Sequence, residues 1–171
     1  YMNVGILGSG GREHAICFCI NKSKNVKNIY CLPGNAGTST IAENIQIDMS
    51  DFHAIKKFTE EKKIDLLIVG PEKPLVDGIV DFFLDTKVKI FGPNQAASQL
   101  EGSKIFTKKL CEKYNIPTAN FGIFQNPNES KIFLEKTNYP IVIKADGLAS
   151  GKGVYICENK KDALIAIDEI F

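Results

Sequence analysis

The stretch NVGILGSGGRE, residues 3–13, decides the fold, because an apolar run of strand length passes there directly into a glycine-rich turn. Further apolar runs of strand length recur at 28–32, 65–69 and 88–91. A helical pattern lies in each interval between these runs. Alternating strands and helices are typical of parallel strands joined by crossover helices. The sequence therefore predicts an α/β protein that begins with an open parallel sheet flanked by helices.

The clearest predicted helix covers residues 51–62, where Phe52, Ile55 and Phe58 recur on one face and charged residues occupy the other. A second predicted helix runs from residue 75 to about 84 and leads into the strand at 88–91. These helices complete the alternation that the first strand begins.

The pattern changes after Pro93, where polar helical segments at 95–100 and 103–113 are separated by Gly102. A new series follows, with strands at 120–124, 141–145 and 154–157 and helices at 129–136 and 161–171. We therefore predict a first domain at 1–94, a helical connector at 95–119 that opens a second region, and an incomplete α+β domain at 120–171. The last helical pattern reaches Phe171 without a stop signal, so we expect the chain to be part of a longer protein.

Composition excludes several classes of protein. Hydrophobic residues make up 44% and charged residues 24%, which is ordinary globular usage and indicates neither disorder nor a membrane span. A net charge of +1 gives no reason to expect a nucleic-acid or anionic-membrane partner. The five cysteines are scattered among apolar neighbours, which predicts reduced, buried thiols and a reducing, cytoplasmic compartment; they are Cys17, Cys19, Cys31, Cys111 and Cys157. Cys17 and Cys19 stand two apart on a predicted helix, a spacing that disfavours a shared metal.

The first glycine-rich turn predicts an anion site, because backbone amides and the dipole of the following helix both point at a ligand there. A dinucleotide is disfavoured, since Glu13 stands where the third glycine of that motif would be. No carboxylate ends the second strand, at Cys31-Leu32-Pro33, to hold a ribose hydroxyl. The alternative is that the glycines only form a turn while Arg12 and Glu13 cap the helix. We assign no chemistry to His14.

Two more turns follow strands in the same way, at 33–38 and at 70–74. The carboxyl ends of parallel strands share one edge of a sheet, so all three turns are expected to line one crevice. This convergence is the main functional signal in the first half of the chain.

A second glycine-rich segment, residues 145–153, follows the strand that carries Lys144 near its end. Ser150 and Lys152 lie in this segment, which can close as a lid over a phosphate chain while Lys144 supplies a positive charge. The segment is not a P-loop, because Gly153 follows Lys152 and a strand comes next instead of a helix. The alternative is an ordinary glycine-rich hairpin with solvated lysines.

Six segments together resemble the glycinamide ribonucleotide synthetase family, also called phosphoribosylamine–glycine ligases. They are GSGGREHA at 8–15, PGNAGT at 33–38, VGPE at 69–72, GP at 92–93, LEGSK at 100–104 and IKADG at 143–147. The resemblance covers nearly the whole chain in one order. It implies a Rossmann-like pre-ATP-grasp domain followed by the start of an incomplete α+β ATP-grasp domain.

The resemblance also implies a reaction of purine biosynthesis. In it, ATP phosphorylates glycine, and the amine of phosphoribosylamine attacks the acyl phosphate to give glycinamide ribonucleotide, ADP and phosphate. The implied partners are the small molecules phosphoribosylamine, glycine and ATP, with no nucleic acid and no membrane. The implied cofactors are ATP and, in the full-length enzyme, Mg²⁺ or Mn²⁺. The oligomeric state stays open, with a monomer as one alternative.

Carried over position by position, the resemblance implies two sets of binding residues. The sugar-phosphate set is Gly10, Gly11, Arg12, Glu13, Asn35, Gly37, Thr38, Pro71 and Glu72. The ATP set is Lys104, Lys144, Asp146, Gly147, Ser150, Gly151, Lys152 and Gly153. The family's adenine-hinge segment and its metal-binding Glu and Asn lie beyond Phe171, so no metal ligand and no complete catalytic set is expected here, and the chain alone should be inactive.

Two other interpretations stay open at the level of sequence. Another ATP-grasp carboxylate–amine ligase would share the lysines and the lid but differ in the first crevice, and Arg12, Glu13, His14 and Asn35 argue against it. A non-catalytic nucleotide or phosphate sensor would need only the binding turns.

Overall fold

The computed structural model describes residues 1–149 and 151–171, which form two compact units, Tyr1–Gln99 and Leu100–Phe171. The elements that begin in the first unit are β1 (Met2–Gly8), α1 (Gly11–Ile20), β2 (Val26–Pro33), a 3₁₀ turn (Thr38–Thr40), β3 (Glu43–Asn44), α2 (Phe52–Glu61), β4 (Leu66–Val69), α3 (Glu72–Val76), α4 (Ile79–Phe82), β5 (Lys89–Phe91) and α5 (Gln95–Gly102).

The strands of the first unit form one parallel sheet in the order β3-β2-β1-β4-β5, which confirms the predicted open parallel sheet. The central strand β1 is buried, and in its register Val4 lies opposite Ile29 of β2 and Leu66 of β4. Side chains alternate between the two faces of a strand, so a buried central strand contributes to a core on each side.

Two apolar cores lie in this unit. One contains Val4, Ile6 and Cys31 of the strands together with Cys17 of α1. The other contains strand residues of β1, β2 and β4 together with Ile55 and Phe58 of α2 and Ile79 of α4. Helices therefore pack on both faces of the sheet.

Two local predictions in this unit need correction. The single helix expected from residue 75 to about 84 is instead the two short helices α3 and α4, because Gly78 adopts a φ of 93°, which a continuing helix does not allow. The edge strand β3 was not predicted; it has only two residues, and its backbone pairs with Tyr30 and Cys31.

The second unit is built from α6 (Lys104–Lys113), α7 (Pro127–Leu134), β6 (Ile141–Lys144), β7 (Val154–Cys157) and α8 (Lys160–Ile170). Strands β6 and β7 pair in antiparallel fashion, with Ile141 opposite Cys157 and Lys144 opposite Val154. Residues of α7 and α8, including Leu134 and Ile167, pack against one face of this small sheet.

The predicted strand at 120–124 is wrong, since no strand is assigned there. Side-chain contacts hold this part of the chain instead of a backbone ladder. Lys108 Nζ donates to the carbonyl of Ala119 at 3.0 Å, and the ring of Phe124 packs on that of Phe133 with centroids 5.1 Å apart.

The thiols differ from the prediction at two positions. Cys17, Cys31 and Cys157 are buried as expected, whereas Cys19 is exposed and Cys111 is partly exposed. Cys19 lies on the outer side of α1, two residues from Cys17, and two helix positions that are two apart face different directions.

The predicted domain division at 1–94, 95–119 and 120–171 stays a prediction.

No helix among the described residues has both the length and the apolar character to span a membrane.

Candidate functional site

The turns after β1, β2 and β4 lie side by side at the carboxyl edge of the parallel sheet. The Gly34 amide donates to the carbonyl of Gly8 at 3.1 Å, and the Gly70 amide donates to the carbonyl of Leu7 at 3.0 Å. The structure therefore brings together the three turns at 8–13, 33–38 and 70–72.

Helix α1 begins at Gly11, directly behind the first turn, and its N-cap residue, Gly10, has no side chain that could cap the first amides. The first amides of a helix have no partner within the helix, so those of Gly11, Arg12 and Glu13 are directed towards any anion at this end. The Gly10 amide is different, because it donates to Glu13 Oε2 at 2.7 Å. Its hydrogen bond is already made within the protein.

Arg12 is the only arginine of the sequence and lies between two carboxylates. Its Nε donates to Glu13 Oε1 at 2.9 Å, and its Nη1 donates to Glu72 Oε1 at 3.0 Å. The Arg12 side chain is 51% exposed, whereas Glu13 is only 4% exposed. Hydrogen bonds from Arg12 to Glu13 and Glu72 raise the pKa of Arg12, so the guanidinium stays charged.

Glu72 stands at the first position of α3 and links the third turn to Arg12. A hydrogen bond from its own backbone amide, followed by the Arg12 hydrogen bond, lowers the pKa of Glu72 below its usual range. Both partners of this pair are therefore ionised at neutral pH. Pro71, which precedes Glu72, is partly buried.

The second turn is held by its own polar side chains. Thr38 is fully buried, and its Oγ1 accepts the Asn35 amide at 2.8 Å. The Asn35 side chain reaches the first turn, where Nδ2 donates to the carbonyls of Ser9 and Gly10. A Cβ atom on Gly37 would lie 2.6 Å from the ring of His14, so only glycine leaves room for this close approach.

Asn44 of β3 also belongs to this cluster, although the sequence did not indicate it. Its Nδ2 donates to the Asn35 carbonyl at 2.7 Å, and its Oδ1 accepts a hydrogen bond from Thr38 Oγ1 at 2.7 Å. A contact between a turn residue and a two-residue strand nine positions later leaves no periodic signal, so pattern alone could not find it.

In the second unit, Lys144 ends β6 on the sheet face that α7 and α8 leave open. Val142 of β6 and Val154 and Ile156 of β7 are exposed on the same face, between 46% and 72%. Ile141 and Ile143 alternate with them and pack towards the helices. Val142 stands two residues before Lys144, so the two-residue period of a strand could have placed this apolar side chain beside the lysine from sequence alone.

Asp146 and Lys104 both connect the start of the glycine-rich segment to the start of α6. Asp146 Oδ1 accepts the Ile105 amide at 3.2 Å, and Oδ2 accepts Ser103 Oγ at 3.0 Å. Lys104 Nζ donates to the Gly147 carbonyl at 2.8 Å. Burial raises the pKa of Asp146, but hydrogen bonds from Ile105, Gly147 and Ser103 outweigh it and lower the pKa overall.

The glycine-rich segment uses left-handed backbone at three glycines, Gly147, Gly151 and Gly153, with φ of 84°, 79° and 68°. The Ala145 amide donates to the Gly153 carbonyl at 2.8 Å and closes the base of the segment. Lys152 is exposed. Ser150, also predicted to bind ATP, lies outside the described residues.

A divalent cation prefers several oxygen ligands. Among residues 1–149 and 151–171, no group of three or more His, Cys, Asp or Glu side chains is placed to hold a metal ion.

Two family models together match nearly the whole chain. Residues 2–101 match the phosphoribosylglycinamide synthetase N domain, and residues 102–171 match the ATP-grasp (A) domain of the same synthetase.

Two curated relatives are named phosphoribosylamine–glycine ligase. The phosphoribosylamine–glycine ligase of Mesorhizobium japonicum is 49% identical over 170 residues, which are 99% of this chain and 40% of that protein. The ligase of the same name from Clostridium acetobutylicum is 49% identical over 160 residues, covering 94% of this chain and 38% of the relative. The chain thus spans about two fifths of the length of these relatives.

Solved structures agree. The phosphoribosylamine–glycine ligase of Thermotoga maritima matches with a TM-score of 0.73 and 34% identity, over 95% of this chain and 38% of that one. The N5-carboxyaminoimidazole ribonucleotide synthetase of Thermus thermophilus matches with a TM-score of 0.69 over 98% of this chain and 44% of its own, but at 19% identity it shows likeness of fold alone. With both family models matching in sequence order, the chain belongs to the phosphoribosylglycinamide synthetase family.

Proposed function

We propose that the full-length protein containing this chain joins glycine to 5-phosphoribosylamine at the expense of ATP, giving glycinamide ribonucleotide, ADP and phosphate. The observation that carries the proposal is the convergence of three turns around the start of α1, where free amides and the only arginine meet. Membership of the phosphoribosylglycinamide synthetase family supports phosphoribosylamine as the proposed ligand of this arrangement.

The proposed chemistry has two steps. The glycine carboxylate attacks the γ-phosphorus of ATP, the bond to the β-phosphate oxygen breaks, and glycyl phosphate and ADP form. The amine of phosphoribosylamine then attacks the acyl carbon, phosphate leaves with the bonding electron pair, and the amine loses a proton. Positioning and neutralisation of phosphate charge are the main contributions of a protein to such transfers.

In the first unit, the sugar phosphate is proposed to bind at the start of α1. The amides of Gly11 and Arg12 and the Arg12 guanidinium would bind the phosphate, since helix amino termini favour dianions. Glu72 on the adjoining turn is ionised and exposed, so it is suited to accept a hydrogen bond from the amine. Gly10, Glu13, Gly37, Thr38 and Pro71 would then shape the turns that line the site.

In the second unit, the triphosphate is proposed to lie against Lys144, Lys104 and the glycine-rich segment with Lys152. Lys104 Nζ donates one of its three hydrogens to the Gly147 carbonyl, so two remain to bind a phosphate. The exposed Val142, Val154 and Ile156 beside Lys144 offer an apolar surface for a flat base.

The metal that such a reaction needs is proposed to take its carboxylate ligands from the rest of the full-length protein. When bound, it would neutralise phosphate charge. The described residues of this chain contribute lysines and amides to that region but no cluster of carboxylates.

The test is a pair of substitutions in the full-length protein. Lys144→Ala should raise the KM for ATP about 10–100-fold, since a hydrogen bond to a charged group contributes roughly 1.5–3 kcal/mol, and leave the KM for phosphoribosylamine nearly unchanged. Arg12→Ala should do the reverse. Lys136→Ala, at an exposed lysine of the second unit, is the control and should alter neither. Equal loss of both affinities in Lys144→Ala would contradict the assignment of ATP to the second unit, and no ligation by the parent would contradict the function.

A further inference from the structure

Asn35 has no hydrogen-bonding capacity left for a ligand. Its Nδ2 donates to the carbonyl of Ser9 at 3.0 Å and to that of Gly10 at 3.1 Å. Its Oδ1 accepts the amides of Gly37 at 2.8 Å and Thr38 at 3.0 Å. A side-chain amide has two donor hydrogens and two acceptor lone pairs, and all four are used.

The orientation of this amide follows from its partners. Two carbonyl oxygens lie on the Nδ2 side and two N–H groups lie on the Oδ1 side. Exchanging the nitrogen and the oxygen would place donors against donors and acceptors against acceptors. The four bonds therefore hold together only in the orientation described.

We propose that Asn35 is a positioning residue. By donating to the carbonyls of Ser9 and Gly10, it sets the direction of the free amides at the start of α1. This inference rests on the proposed function, because the role concerns the phosphate of the sugar substrate. The Asn35 side chain holds the carbonyl of Gly10, the residue immediately before those amides, and does not contact the substrate itself.

The buried Thr38 and the partly buried Asn44 hold the backbone of Asn35. The Asn35 carbonyl accepts Asn44 Nδ2 at 2.7 Å, and the Asn35 amide donates to Thr38 Oγ1 at 2.8 Å. Thr38 is completely buried, so these bonds are shielded from water and restrict the turn strongly. Asn44 is thus a second positioning residue that acts through Asn35.

The experiment compares two ligands that share a phosphate. Affinities of the full-length protein for inorganic phosphate and for ribose 5-phosphate are measured by calorimetry, with glycine ligation assayed in parallel. Asn35→Ala should lower both affinities by a similar factor, about tenfold or more, because four hydrogen bonds that orient the amides at the start of α1 are lost. A loss confined to ribose 5-phosphate would reveal direct contact with the sugar and overturn the inference, as would no loss for either ligand.

A second comparison tests the route through Asn44. Asn44→Ala should lower the affinity for inorganic phosphate less than Asn35→Ala does. The double variant should bind phosphate about as weakly as Asn35→Ala alone, because the two residues act in one network. Full additivity would overturn the placement of Asn44. The control is Asn28→Asp, since the Asn28 side chain donates to Asn3 in an exposed position away from these turns, so the substitution should leave both affinities unchanged.

Amide hydrogen exchange separates a failure of this inference from a failure of the proposed function. Asn35→Asp keeps the acceptor for Gly37 and Thr38 but sets an oxygen against the carbonyls of Ser9 and Gly10. Amide hydrogen exchange in a peptide covering residues 8–15 should then accelerate. Unchanged exchange would overturn the positioning role of Asn35, even if ligation is normal. A parent that neither binds ribose 5-phosphate nor ligates glycine would overturn the proposed function, and with it the role of Asn35 in phosphate binding.

Discussion

At the scale of the residue, several predicted site positions make their contacts inside the protein. Glu13, Thr38 and Asn35 were identified from the motifs around them, and the structure places each at or between the converging turns. Their partners could not be identified from the sequence, because a hydrogen bond between distant loop residues depends on the tertiary fold. Asn44, nine residues from Asn35, is the plainest example.

Gly34 tests how tightly this cluster is packed. It has a φ of 76°, and a Cβ atom there would collide with the side chain of Asn44 and lie 2.7 Å from Thr38 Oγ1. Gly34→Ala should lower the free energy of unfolding by about 2 kcal/mol or more, since left-handed backbone alone costs roughly 1–2 kcal/mol for a non-glycine residue. Urea denaturation measures the change. Gly11→Ala is the control, because its Cβ would meet nothing within 4 Å and alanine favours the helix; equal destabilisation by both would refute the argument.

At the scale of the element, periodicity identified the four longer strands of the parallel sheet and most helices. It failed where another influence dominates. A two-residue strand such as β3 is too short for any alternation, and Gly78 interrupts apolar spacing that otherwise continues through a helix. The apolar residues at 120–124 have strand composition, but they pack through side chains and pair with no strand among the described residues.

Asp146 gives a prediction for the link between α6 and the glycine-rich segment. Asp146→Ala should accelerate exchange of the Ile105 amide about fivefold, since an intramolecular hydrogen bond contributes roughly 1 kcal/mol. The pKa of Asp146 is lowered, so its contribution is present at neutral pH and is lost as the pH falls below the ordinary aspartate value of about 3.9. NMR-detected exchange is the measurement.

Asp162→Ala is the matched control for that experiment, because Asp162 lies in the first turn of α8 and pairs with Asn159. Asp162→Ala should change amide exchange in α8 and leave the exchange rate of the Ile105 amide unchanged. Acceleration of Ile105 by both variants would indicate general loosening of the unit instead of loss of a specific link.

At the scale of the whole molecule, each unit buries at least one thiol. Burial raises the pKa of Cys17, Cys31 and Cys157, and that of Cys31 reaches about 12. A raised pKa means that the folded protein favours the protonated thiol. The resulting stability is complete below the unfolded thiol value near 8.5 and is lost as the pH rises from there towards 12.

We therefore expect the free energy of unfolding to fall as the pH rises above about 9, by up to about 1.4 kcal/mol per pH unit for each buried thiol. Urea denaturation between pH 8 and 10 measures this slope. Cys31→Ala should make it shallower, whereas Cys19→Ser, at an exposed thiol, should leave it unchanged. Identical slopes for Cys31→Ala and the parent would refute the prediction.

The buried carboxylate of Glu13 has a consequence for selectivity. It already satisfies the Gly10 amide and the Arg12 Nε, so the loop carries an internal counter-ion. A small monovalent ion such as chloride then has little to gain there, because the nearest positive charge is half neutralised before it arrives. At the proposed site, a phosphate monoester with several directed oxygens and a double charge gains more, so we expect the loop to discriminate against the salts that surround cellular proteins.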